Sequence, residues 1–388
     1  MKVWLLTNTP SPYQVELFTA IQRDGRCDLD VRFMRQTHRG RPWNPEPPPF
    51  RFRTLGGIGP SLWADAFRLH LRALMDCLFG KHELFVLSGQ YTSLTFVACS
   101  WILRLRRKRW AMWLEQPWPE NYRPAWTRSV TAKSGLARAV RRRSLTSLLR
   151  RAHAVFCIGS SAAEAYKGLG ADPAKLFVIP YCCDTSRYAA ADAAAVEAVR
   201  AKYHLGGKTV FLFSGQLIER KGVDLLIRAF ADLARSTHDV ALLILGEGPL
   251  RARLEASLPP DLKTRVHFAG HVEQEALPPC FHASQVFVFP TRHDGWGVVI
   301  NEACAAGLPV ISTDAAGAAR DLVADGQNGF IVPRDDGDQL ADRMRFFVSH
   351  TDQIPVFGAQ AVQRVSSFSV AHGAKLFCDA ASATAGDT

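Results

Sequence analysis

The stretch "TVFLFSGQLIERKGVDLLIRAFADLARSTHDVALLILGEGP", residues 209–249, carries the pattern that decides the fold. An unbroken apolar run, TVFLFS, enters a loop holding Gly215, Gln216, Arg220 and Lys221, and Gly222 then opens a helical segment. A second apolar run, VALLIL, follows. Strands that are apolar throughout, rather than at alternate positions, belong to parallel sheets covered on both faces.

The same alternation continues downstream through "VHFAG", "VFVFP", "LPVIS" and "GFIVP". It also runs upstream, with strands expected near 2–7, 28–34, 84–88, 109–115, 154–158 and 176–179. Two consecutive series of this kind imply an α/β protein of two doubly wound, Rossmann-like domains. A length of 388 residues favours the same division. The expected limits are 1–185 and 205–355, joined through the Ala-rich, weakly patterned stretch 184–207, with a terminal helical segment at 356–388. The five prolines within 35–57 are expected to prevent regular structure there.

Composition narrows the function. The nine cysteines lie mostly in apolar runs and form no C-x-x-C pair, which points to reduced, buried thiols in a cytosol. The start, "MKVWLLTNTP", reads as a first strand, too short for a signal peptide. "LFVLSGQYTSLTFVACSWILRL" is too polar for a membrane span and reads as strand, loop and helix. The net charge of +11 is concentrated: residues 121–151 hold nine basic residues and no acid, and "RLRRKRW" just upstream adds five. Leu136, Val140, Leu145, Leu148 and Leu149 fall roughly on one face of a helix there. Such a helix suits an anionic lipid surface, or it packs its apolar face on its own domain. No nucleic-acid-binding signature is present, so nucleic acid is not an expected partner.

Doubly wound sheets take ligands beyond the carboxyl ends of their strands, so the strand-to-helix loops are where chemistry is expected. In the second half four stand out. Arg220 and Lys221 precede a helix start, a pairing that favours an anion such as a diphosphate. Gly246 and Gly248 form a tight turn that can bring backbone near a ligand. Gly270 closes the next strand, with His271 and Val272 after it. In "HDGWGVVINEACAAGLPVI", residues 293–311, two carboxylates, Asp294 and Glu302, flank a Gly-Trp-Gly turn. The next strand ends in a loop carrying Gly317.

These loops, in this order, resemble the retaining glycosyltransferases of family 4, which have the GT-B fold of two facing Rossmann-like domains. The likeness runs from about 210 to 333 and includes the carboxylate pair separated by seven residues, "LGEGPLRARLE", "VHFAGHV" and "ADGQNGFIV". It is looser in the first half, through "TNTPSPYQVELF", "AVFCIGSSAAEAY" and "VIPYCCDTSRY". The resemblance implies transfer of a sugar from a nucleotide-diphosphate donor to a hydroxyl of a saccharide or lipid-linked acceptor, with retention at the anomeric carbon. It implies no cofactor beyond the donor and no metal. The first domain would bind the acceptor, the second the donor, and the terminal helix would cross back onto the first.

Residue by residue, the resemblance places Glu302 at the ribose hydroxyls and Asp294 at hydroxyls of the donor sugar. Backbone around Gly295, Trp296, Gly297 and Val298 would approach sugar and diphosphate, and Arg220 and Lys221 would hold the diphosphate. Gly215, Gln216, Gly246, Gly248, His271 and Val272 would complete the donor site. The chain departs from the family in four places, one being "NTPSPYQ", residues 8–14, where the first domain's Gly-rich loop would stand. Gln216 stands where an Arg is common, Asp294 replaces the usual Glu, and Glu115 in "WLEQPWPE" lies where relatives carry His. Glu115 is thus either sugar-facing or a structural acid, and His293 either takes part directly or is a loop residue. Loops 8–14, 36–60 and 116–135, with Trp43, Trp118 and Trp126, would receive an acceptor at the inner face of a membrane. A sugar-nucleotide epimerase and a non-catalytic nucleotide-sugar-binding relative are the alternative readings.

Overall fold

The computed structural model describes residues 1–36, 48–58, 68–117 and 135–386. Trp43, Trp118 and Trp126, and most of the loops 36–60 and 116–135, lie outside them. The described chain divides into two compact units. One comprises its residues up to Pro117, those from 135 to Cys182, and Val370 onward; the other runs from Cys183 to Ser369.

The first unit is built on a seven-stranded sheet in the order β3-β2-β1-β4-β5-β6-β7. The strands are β1 (Lys2–Thr7), β2 (Asp28–Phe33), β3 (Arg51–Thr54), β4 (Leu84–Ser88), β5 (Trp110–Leu114), β6 (Ala154–Cys157) and β7 (Leu176–Val178). Every pairing is parallel. Helices Leu71–Phe79, Leu94–Leu105 and Gly135–Arg151 bury their inner sides in one core with the sheet. Against the other face pack helices Pro12–Asp24 and Val370–Gly386, which also pack on each other. There Phe377 lies 5.2 Å from Trp113 and 5.6 Å from Phe156, ring to ring.

β3 corrects one expectation. The prolines of 35–57 end at Pro49, and Arg51–Thr54 then pairs with β2 as an edge strand. All four of its residues are exposed, so it lacks the apolar run that marks most of the other strands.

The basic helix Gly135–Arg151 is also resolved between its two readings. Leu145, Leu148 and Leu149 are buried in the core of their own unit, whereas Val140 is exposed. Its apolar face therefore packs on the domain rather than standing free for a bilayer. All nine cysteines are buried and unbridged.

The second unit repeats the plan in a six-stranded, all-parallel sheet, β10-β9-β8-β11-β12-β13. Its strands are β8 (Thr209–Ser214), β9 (Val240–Leu245), β10 (Val266–Gly270), β11 (Val286–Phe289), β12 (Val310–Thr313) and β13 (Gly329–Val332). The order reverses between β8 and β11, so the loops after those two strands are where a doubly wound sheet opens a ligand crevice.

The stretch 184–207 is not a featureless link. It holds helices Ser186–Ala189 and Ala193–Lys202, which belong to the second unit and pack on helix Leu277–His282. Tyr188 anchors them, its ring 5.3 Å from that of Phe281. Helix Gln353–Val365 also stays with the second unit. A Cβ on its Gly358 would lie 2.2 Å from the Gly307 carbonyl, so only glycine lets the helix sit that close. The chain therefore returns to the first unit at Val370 rather than at 356.

Among the described residues no helix is long and apolar enough to cross a membrane.

Candidate active site

The loop after β8 makes a single 3-10 turn, Glu219–Lys221, and ends on Gly222 in the left-handed conformation at φ 70°. A Cβ there would meet the Pro290 carbonyl at 2.0 Å, so glycine lets this turn press against the end of β11. The turn is fastened from the β11 side. The Arg220 carbonyl accepts from the Arg292 backbone N–H at 2.8 Å and from the Thr291 hydroxyl at 2.9 Å. Arg292 then forks onto Asp224 at 2.8 Å and reaches Asp335 at 2.6 Å, tying the following helix and the β13 loop to the same point. These contacts raise the Arg292 pKa, its hydrogen bond to Asp224 first.

This fastening sets two cations on one carboxylate. Lys221 Nζ lies 2.5 Å and Arg220 Nη1 3.3 Å from the same Asp294 oxygen, Oδ2. Arg220 also donates to the His293 carbonyl at 2.6 Å, and Lys221 lies over the Phe289 ring, 4.5 Å from its centroid. Burial opposes charge on Asp294, but Lys221 and then Arg220 outweigh it and hold its pKa well below the usual carboxylate range. The neighbouring imidazole goes the other way. Burial first, then Arg220, Arg334 and Lys221, push His293 down to about 4 against the opposing pull of Asp294. His293 is therefore neutral at neutral pH.

The Gly-Trp-Gly turn is locked to the loop after β12. Gly317 passes so close that a Cβ would lie 2.4 Å from the Gly295 carbonyl, and the Ala318 N–H donates to the Trp296 carbonyl at 2.8 Å. The Trp296 ring is not a platform for ligand. It is buried, and its Nε1 donates to Asn301 at 2.9 Å. Gly297, at φ 94°, turns the chain into helix Val299–Ala305, with Val298 just before it and Glu302 in its first turn. Glu302 stands beside the Tyr188 hydroxyl. Burial, and then the Glu302 carboxylate, raise that hydroxyl's pKa.

Gly246 and Gly248 have a different reason from the one expected. A Cβ at 246 would lie 2.0 Å from the Gly215 carbonyl, and one at 248 would lie 2.5 Å from that of Leu217. Glycine at both positions lets the neighbouring loop pack on them through the backbone of Gly215 and Leu217. His271 is exposed and lies 3.4 Å from Glu273, while Val272 is half-buried. Glu115 belongs to the first unit, at the carboxyl end of β5. Its carbonyl accepts from the Tyr166 hydroxyl at 2.5 Å, and its charge, after burial, raises the Tyr181 hydroxyl's pKa.

The structure thus joins Arg220, Lys221, His293 and Asp294 in one cluster, with Glu302 beyond the Gly-Trp-Gly turn, in the first turn of helix Val299–Ala305. Thr291, Arg292 and Tyr188 were not singled out from the sequence. Arg292 has a legible signal, a lone cation directly after an apolar strand. Tyr188 has none, since it lies in the Ala-rich stretch.

Residues 196–361 match the family of glycosyl transferases group 1. A GDP-mannose-dependent alpha-(1-6)-phosphatidylinositol monomannoside mannosyltransferase of Mycolicibacterium smegmatis is 35% identical over 184 residues, 43% of this chain and 47% of its own length. The capsular polysaccharide biosynthesis glycosyltransferase CapM of Staphylococcus aureus is 30% identical over 171 residues, 43% of this chain and 44% of its own. The chain thus spans about half the length of the curated relatives it matches. Solved structures resemble it over nearly its whole length. HepE of Anabaena in complex with UDP aligns with a TM-score of 0.75 at 19% identity, covering 99% of this chain and 100% of that one. WaaG, a glycosyltransferase involved in lipopolysaccharide biosynthesis, aligns at 0.66 and 17% identity, covering 98% and 99%. The shared fold is GT-B, with two parallel-sheet Rossmann-like units.

Proposed function

We propose that this chain, which through residues 196–361 belongs to the glycosyl transferases group 1 family, moves a sugar with retention from a nucleotide-diphosphate donor to a hydroxyl. The acceptor is a saccharide or a lipid-linked saccharide in cell-surface polysaccharide or glycolipid assembly. The observation that carries this reading is the buried Lys221–Asp294–Arg220 cluster at the crevice position of the second sheet. Two fixed cations there suit a diphosphate, and Asp294 between them keeps both in place before donor arrives.

In this reading Arg220 and Lys221 stabilise the negative charge that builds on the leaving nucleoside diphosphate as the glycosidic bond breaks. Removing one such group costs roughly a hundredfold in rate. Asp294 accepts from donor-sugar hydroxyls, and Glu302, in the first turn of helix Val299–Ala305, accepts from the ribose. Carboxylates suit paired hydroxyls as charged acceptors. The acceptor hydroxyl attacks the anomeric carbon from the face the nucleotide leaves, and a donor phosphate oxygen takes its proton. No resident cofactor or metal is needed for that step. The matched names support a GDP- or UDP-activated hexose and an acceptor carried on lipid. Work on a lipid-linked acceptor would place the protein at the inner face of a membrane, bound peripherally.

Thermal unfolding of the purified chain with UDP, GDP, ADP and dTDP, and with their sugar conjugates, tests this. Ligand that binds only the folded state raises the melting temperature by mass action. One nucleotide is expected to give a clear rise and thereby name the donor base. No rise with any of them sinks the transferase reading. A rise without turnover of the matching sugar conjugate, over a range of saccharide acceptors, favours a non-catalytic relative.

A further inference from the structure

The exposed side of the helices on one face of the first unit is apolar where solvent should favour polar residues. On helix Leu71–Phe79, residues Leu71, Met75, Leu78 and Phe79 are exposed, while Ala73 and Cys77 of the same helix are buried. The spacing of three and four residues puts the exposed ones on a single stripe. Helix Leu94–Leu105 packs against it and presents Leu94, Trp101 and Leu105 in the same way, at intervals of seven and four. Phe79 and Leu105 are 65% and 78% exposed, well above what a scattered surface apolar residue needs. Arg106 fastens the two helices together at this end, donating to the carbonyls of Cys77 and Gly80 at 3.1 and 3.2 Å.

Cations frame these stripes. Arg104 and Arg151 lie over the Trp101 ring, 5.4 and 4.8 Å from its centroid. Arg107 follows at the helix end, and Arg141, Arg142 and Arg143 of the basic helix are exposed on the same layer. No acid occurs between 94 and 114 or between 135 and 151 in the sequence. An apolar stripe rimmed by one sign of charge matches an anionic bilayer surface, where apolar residues enter the headgroup boundary and arginines meet lipid phosphates. A second copy of the chain would have to bring the same cations against themselves.

We infer that helices Leu71–Phe79 and Leu94–Leu105 form the surface by which this protein docks on an anionic lipid leaflet. The basic helix contributes charge, since its Leu145, Leu148 and Leu149 are buried in the core. This deepens the membrane part of the proposed function, yet its evidence lies wholly in the first unit and is tested apart from donor binding.

The test is flotation of the full chain with vesicles of phosphatidylcholine alone and of phosphatidylcholine with phosphatidylglycerol, with and without added salt. The wild-type chain should float with the anionic vesicles and stay behind with the neutral ones. Phe79→Ser with Leu105→Ser keeps every cation and is expected to weaken anionic-vesicle binding by roughly tenfold or more. Arg142→Glu with Arg143→Glu should do the same at low salt. Both changes lie at exposed positions, and the single Leu105→Ser serves if the first pair lowers the melting temperature. Wild-type chain that does not float overturns the inference. So does undiminished binding by both double variants, or a concentration-dependent dimer that Phe79→Ser abolishes without any vesicle binding. Vesicle binding without a nucleotide-dependent rise in melting temperature would sink the transferase reading and leave this one standing. The converse result would do the reverse.

Discussion

Replacing Asp294 with Asn keeps the side chain's size while removing the negative charge that Lys221 and Arg220 share. Breaking a buried ion pair from one side costs about 3–5 kcal/mol, because the partner charge is left without compensation. The lower end applies here. Lys221 keeps its place over the Phe289 ring and Arg220 keeps the His293 carbonyl. A loss of about 3 kcal/mol corresponds to a fall in melting temperature of roughly 6–12 °C for a domain of this size. The pH dependence has a definite sign. The folded-state pKa of Asp294 is depressed, so its contribution is fully present above the unfolded carboxyl value and is lost as pH falls toward the folded one. The gap between wild type and variant should therefore be constant from neutral pH down to about 5 and narrow below about 4. A diphosphate supplies the missing negative charge, so UDP or GDP should raise the variant's melting temperature by more than the wild type's. Transfer should fall by roughly a hundredfold, because the sugar loses a charged acceptor. Scanning calorimetry across pH, with and without nucleotide, reads all but the last. A variant as stable as wild type at neutral pH, or a gap that stays unchanged in acid, would refute the reasoning.

Three further changes probe the frame of the cluster. Arg292→Ala removes the fork onto Asp224 and the Asp335 pair and should cost about 2–3 kcal/mol while lowering nucleotide affinity; Arg292→Lys should restore only part, since lysine has no planar fork. Unchanged nucleotide affinity in the stable fraction of Arg292→Ala would deny it any positioning role. Gly222→Ala should destabilise the second unit by about 2 kcal/mol or more, from the left-handed backbone and the Pro290 carbonyl 2.0 Å from the new Cβ; urea denaturation giving less than about 0.5 kcal/mol would contradict that contact. His293 is held at about 4, below its unfolded value, so the unfolded chain binds more protons between about 6.5 and 4 and stability should fall as pH drops through that window. His293→Gln should flatten this slope in a pH series of melting temperatures, and an equal slope in both proteins would show that the imidazole is not held neutral.

The two sheets were legible in the residues because a strand buried on both faces must be apolar throughout. Most of the thirteen strands carry such a run; Arg51–Thr54 is an exposed edge with nothing to bury, and Asp28–Phe33 instead buries Asp30 and Arg32 as an ion pair. The loops after β8 and β11 were legible for a related reason. Glycine, cations and carboxylates placed just past apolar runs stand out from residues that fill a core. The sequence did not show what each of these groups touches. Lys221 and Asp294 are 73 residues apart, and only the parallel pairing of β8 with β11 brings them together. The same folding explains Gly246 and Gly248 by loop-to-loop packing, and puts the Trp296 ring in the core. It also buries Leu145, Leu148 and Leu149 of the basic helix while leaving Leu78 and Leu105 of its neighbours exposed. The apolar pattern of a strand or helix is a local property and survives in one dimension. Which buried surface meets which, and which apolar stripe is left facing water, depends on contacts between distant segments, and these exist only once the chain has folded.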